Sequence, residues 1–178
     1  MATIDDALSF IRDFIAREYE VEEAIWREPD ETRLSQRIAE LNRDFHEPPM
    51  RSTLSRGPVD PAWLSANAEA QLAQRQARAL FRVDRWEHPQ MGELYTADVS
   101  STLKGGNSLF SRYFIAPRDP GLRLVAVYHL CPECDGTGQL DGRVCPKCRG
   151  GGWVRRGGVE ITDPGTHREE RVIAEPAE

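Results

Sequence analysis

Four cysteines in a doubled motif constrain this chain more than any other feature. Cys131-Pro132-Glu133-Cys134-Asp135-Gly136-Thr137-Gly138 and Cys145-Pro146-Lys147-Cys148-Arg149-Gly150-Gly151-Gly152 match position for position as C-P-x-C-x-G-x-G. A two-residue gap lets one tight turn aim both sulfurs at a single point. Proline after the first cysteine presets φ for that turn. The glycine two places after the second cysteine permits a reversal at positive φ and turns amide N–H groups toward the sulfurs. Two such knuckles joined by a short hairpin set four thiolates at tetrahedral positions, which suits Zn²⁺ at about 2.3 Å per bond. The expectation is one structural zinc ion held by Cys131, Cys134, Cys145 and Cys148. With four protein ligands the shell is closed, leaving no position for a reactive water.

An iron centre, a redox dithiol and a pair of disulfides are the rival uses of these cysteines. All four lie within eighteen residues. The start of the chain, Met1-Ala2-Thr3-Ile4-Asp5-Asp6, has neither the basic region nor the apolar region of a secretory leader. A cytoplasmic location is the resulting expectation, and a reducing compartment favours metal over disulfide. His129 lies two residues before Cys131; it is read as a neighbour of the site rather than a ligand.

The doubled C-x-x-C-x-G-x-G resembles the cysteine-rich repeats of DnaJ-type co-chaperones, in which four such repeats make two zinc sites. Here two repeats cover residues 131–152, and no His-Pro-Asp signature of a J-domain is present. The resemblance implies a zinc-binding module with a protein-contact surface, and it does not imply a chaperone.

Upstream of the cysteines the period of the sequence changes once. Residues 3–28 read as a helix, with Ile4, Leu8, Ile11, Ile15 and Ile25 near helical spacing and Thr3 and Asp6 forming a capping box. A second helix is expected from Asp30 to Asp44, with Leu34, Ile38, Leu41 and Phe45 in one stripe. Asp60-Pro61 starts a third, expected to reach Arg78. Strands are then expected at 79–88, 93–101, Leu109–Ala116 and Leu122–Leu130, with Lys104 to Asn107 as turn chemistry. The fold class expected is α+β: N-terminal helices packed on an antiparallel sheet, with a small zinc ribbon. The expected division is an α+β domain over 1–130, the ribbon over 131–153, and a strand or tail over 154–178. Trp153 to Arg156 is expected to close the ribbon, and Glu169 to Glu178 to form a flexible tail.

The layout over residues 1–130, with its long first helix, the helix from Asp60 and the closing hairpin, resembles the nuclear transport factor 2-like superfamily. That resemblance implies a curved, cone-like antiparallel sheet wrapped by the N-terminal helices, and an enzyme, a small-ligand binder, or an immunity or scaffold protein that uses the sheet as a contact face. In size and strand content the immunity members look closest.

Charge narrows the partners. A net charge of −6 disfavours general affinity for nucleic acid, which requires cations to displace counterions, and it suits a basic protein partner. Arg143, Lys147, Arg149, Arg155 and Arg156 make the ribbon locally basic, so a nucleic-acid accessory role is one alternative. No run approaches the ~18 apolar residues of a membrane span.

A catalytic set is the other alternative. Asp84, Tyr95, Asp98, Tyr113 and His129 all fall on expected strands, and general acid–base chemistry would require some of them to converge on a pocket. The opposing expectation is that Asp84 and Asp98 pair with Arg82, Arg85 or Arg112 across strands on a solvated face. The sequence as a whole therefore points to a zinc-binding, non-enzymatic protein-interaction module, with immunity-type inhibition as its specific form.

Overall fold

The computed structural model describes residues 2–102, 106 and 108–173. Three helices, α1 (Ile4–Arg27), α2 (Glu31–Phe45) and α3 (Pro61–Leu72), precede β1 (Ala77–His88), β2 (Gly92–Thr102), β3 (Ser108–Pro117) and β4 (Leu122–Leu130). Next come a two-stranded hairpin, β5 (Gln139–Leu140) and β6 (Arg143–Val144), and two further strands, β7 (Trp153–Gly158) and β8 (Thr166–Val172). Helices packed on a six-stranded antiparallel sheet make the fold α+β, as expected. Strand order is β7-β4-β3-β2-β1-β8.

Local chemistry sets the helix starts. Thr3 and Asp6 form the expected capping box, in which the Asp6 amide donates to the Thr3 hydroxyl and the Thr3 amide to the Asp6 carboxylate. Asp30 and Asp60 accept from the first-turn amides of α2 and α3. The stripe that α1 buries runs Ile4, Ala7, Ile11, Phe14, Val21 and Ile25, with Leu8 and Ile15 beside it rather than on it. It packs with Leu41 of α2 against Val83, Tyr95, Ala97, Ile115 and Leu124 of the sheet. Burying such side chains contributes roughly 1.5–3 kcal/mol each.

Helix α3 ends at Leu72, short of the expected Arg78. Ala77 and Arg78 instead pair with Thr102 and Ser101 of β2. The Tyr19 hydroxyl donates to the Gln76 carbonyl and accepts from the Arg78 amide, fixing this crossover against α1.

The C-terminal part departs most from expectation. Trp153 to Gly158 does not close the ribbon; it extends the main sheet as an edge strand on β4. Glu169 to Val172, expected in a tail, belongs to β8 and pairs with β1 at the opposite edge. The expected turn residues Lys104, Gly105 and Asn107, and residues 174–178, lie outside the described residues.

Seven residues, 159–165, carry the chain from β7 to β8 across the sheet face that the helices leave open. Ile161 of this strap is buried against Leu94, Phe114, Ala126 and Tyr128, and its amide donates to the Tyr128 hydroxyl at 2.7 Å. A glycine stands at each end. A Cβ on Gly158 would come within 2.0 Å of the Val125 carbonyl oxygen, and one on Gly165 within 2.3 Å of that of Glu87.

Candidate metal centre

The two knuckles are built alike and lock into one another. Cys131 follows directly on β4, and Cys145 follows directly on β6. The Cys131 amide donates to the Gly152 carbonyl at 2.8 Å, and the Cys145 amide to the Gly138 carbonyl at 2.9 Å. Within each knuckle the turn closes on a 3.0 Å bond, from Thr137 to Cys134 and from Gly151 to Cys148. Asp135 and Arg149, each just before the first glycine of its repeat, take the same left-handed conformation, at φ 47° and 53°.

The last glycine of each repeat has a role beyond turning the chain. A Cβ on Gly138 would sit 2.2 Å from the Gly150 carbonyl oxygen, and one on Gly152 would sit 2.3 Å from that of Gly136. Each knuckle thus presses its final glycine onto the other's backbone. Gly152→Ala is expected to destabilise the ribbon by about 3 kcal/mol, because positive φ and a clash with rigid backbone add. Metal retention against a chelator should fall with it, and an unchanged retention would show that the knuckles tolerate separation.

This interlock brings the sulfurs together. Cys131 Sγ lies 3.8 Å from Cys145 Sγ, and Cys134 Sγ lies 3.6 Å from Cys148 Sγ. All four fall within 4.8 Å of one another. A tetrahedron with ~2.3 Å metal–sulfur bonds has edges of about 3.8 Å, so the cluster could hold a metal ion. Disulfide bonding requires about 2.05 Å, and the four cysteines are free. Cys131, Cys134 and Cys145 are buried. The Cys148 and Lys147 backbone amides hold the Cys145 thiol below its ordinary pKa, in the direction that favours a thiolate ligand. Lys147 and Glu133, 3.2 Å apart, bridge the knuckles on the outside. His129 is not among the clustered ligand atoms.

The other sequence candidates are divided by the sheet. Tyr95, Tyr113 and His129 lie on the helix side; Asp84 and Asp98 lie on the strap side. Tyr95 donates to the Ala2 carbonyl at 2.7 Å. Asp98 takes two hydrogen bonds from Arg112, at 2.6 and 2.7 Å, and one from Arg82 at 2.9 Å. Asp84 lies 3.0 Å from the Arg82 guanidinium. The cross-strand pairing matches expectation for Asp98, whereas Asp84 pairs with Arg82 of its own strand and with His167 of β8; the solvated face does not match, since both carboxylates are buried. Asp84, His167 and Glu170 form a second group with metal-ligand spacing. There the Arg82 guanidinium already supplies the positive charge that a metal would bring.

Sequence reasoning missed a polar cavity of about 500 Å³ between α1, α3 and the ends of β2, β3 and β4. Tyr113 and His129 line it together with Glu18, Glu22 and Arg78. The signal was present in α1, where the buried spacing of Ile4, Ala7, Ile11 and Phe14 leads next to Glu18, an acid at a core-facing position.

No family model matches this chain, and no curated protein or solved structure matches it. No helix among the described residues is long and apolar enough to cross a membrane.

Proposed function

We propose that the protein is a non-enzymatic interaction module whose four-cysteine ribbon holds one structural zinc ion. The observation that carries this reading is the surface of the ribbon hairpin, where Leu140 is 40% and Val144 67% exposed beside the buried metal cluster. A hairpin too short to bury its own apolar residues, braced by a metal, is a rigid platform that presents them to a partner. The choice of zinc rests on four thiolates and a closed tetrahedral shell. The specific form of the proposal is an immunity-type inhibitor of a basic protein, on a body of nuclear transport factor 2-like kind. Net charge −6 and the helices-then-sheet order support it.

Immobilised protein is expected to capture a basic protein at low salt, with an association rate that falls as salt rises. Leu140→Asp combined with Val144→Asp should abolish capture while the metal stays bound. Capture unaffected by the double variant would remove the hairpin from the proposal, and a metal other than zinc in the purified protein would change the centre.

A further inference from the structure

The cavity beside the ribbon carries an unusual charge arrangement. Arg78 of β1 reaches two carboxylates of α1, Glu18 at 2.9 Å and Glu22 through a direct hydrogen bond. All three side chains are less than one-fifth exposed. One guanidinium against two carboxylates leaves the cluster short of positive charge when all are ionised. The deficit is visible in the geometry: Glu18 Oε2 and Glu22 Oε2 are both buried without a hydrogen-bond partner, and Arg78 Nη1 meets Glu18 as an ion pair outside hydrogen-bond geometry. Burial pushes the Glu18 carboxyl above its ordinary pKa, a second sign that the site lacks a cation. Buried charges with incomplete partners are costly to folding.

The same cavity gathers polar groups from the sheet. Ser111 of β3 pairs in register with His129 of β4, and Tyr113 lies two residues along the same face. The Tyr113 and His129 side chains both line this space. Trp26, Leu54 and Leu72 supply apolar wall. An ion cluster serving only to join α1 to β1 would account for Arg78, but not for two buried carboxylate oxygens left without hydrogen-bond partners at the wall of a cavity. The volume, about 500 Å³, lies in the range of small-molecule sites.

We infer that this cavity binds a small organic amine, with its ammonium group drawn to Glu22 and the Tyr113 hydroxyl oxygen and its apolar body against Trp26 and Leu72. The ammonium supplies the missing positive charge and the missing donors in one group. An anion would meet two carboxylates and is excluded. The inference goes beyond the interaction reading and does not depend on the ribbon.

Tryptamine, titrated into the full-length metal-loaded protein, is the probe. Isotope-labelled tyrosine and histidine rings report the site by nuclear magnetic resonance. Saturable shifts of Tyr113 and His129 are expected, with a Kd of about 1 mM or below for a ligand of this size. Glu22→Gln should weaken binding about tenfold, and the isosteric Tyr113→Phe should weaken it in the same direction, keeping the test open if the first variant folds poorly. Indole-3-ethanol should bind about tenfold less tightly, and indole-3-acetate should not compete. Absence of saturable shifts at these two rings would overturn the inference. So would equal binding of the amine and the carboxylate, or tryptamine affinity unchanged in both variants.

Discussion

Replacing Cys145 with serine is expected to strip the metal and unravel residues 131–152 while the helices stay folded on the sheet. Structural zinc in small domains contributes an apparent ~10–16 kcal/mol of binding free energy, which is folding free energy for the site. Three thiolates and a hydroxyl retain only part of it. The ribbon has little else to hold it: its buried cluster consists of the cysteines with Val154 packed alongside. The main core, with Phe14, Leu41, Tyr95 and Ile115, is a separate cluster. The damage should stop near β7, whose pairing with β4 begins beside the Cys131–Gly152 hydrogen bond. Metal analysis and hydrogen exchange read both parts at once. Fast exchange over 131–152 with protected amides in α1 is the expected result. Full metal content at unchanged affinity would overturn the ligand assignment.

Asp98→Asn should cost about 3–5 kcal/mol, because it leaves the largely buried Arg112 guanidinium without a counterion, while Arg82 keeps only Asp84. At this chain length that corresponds to a fall in Tm of about 10 °C. Arg112 also stacks on Trp153, 4.5 Å from the ring centroid, so its displacement should change the tryptophan emission. A Tm within about 2 °C of the parent protein would mean that the pair is screened by water after all.

The helix starts were legible because each rests on residues no more than three positions apart: Thr3 with Asp6, and Asp60 with Pro61 and Ala62. The metal cluster was legible for the same reason, being two local turns brought together by one short hairpin. What escaped were choices made over long separations. The end of α3 carries no glycine or proline, and pairing with β2 some twenty-five residues later decides it. Strand β8 reads Thr-His-Arg-Glu-Glu-Arg-Val and is polar on both faces. Only its partner β1 marks it as a strand. The partners of Asp98 could be named from cross-strand spacing, whereas the burial of both carboxylates could not; Asp84 also meets His167 of β8, 83 residues along the chain. Glu18 showed the opposite fault, a local signal that was overlooked: an acid in an apolar stripe.

The strap also has a mechanical consequence. Its ends are fastened to the two outermost strands, five inter-strand spacings or about 24 Å apart along the sheet, and the eight Cα steps from Gly158 to Thr166 span at most about 29 Å. The segment works like a drawstring with almost no spare cord. Neither margin of the sheet can peel far outward without pulling on the other, and removing two strap residues, which leaves a reach of about 22 Å, would force one margin to let go. Strand loss at the two ends, normally independent events, becomes one shared event set by the length of seven residues.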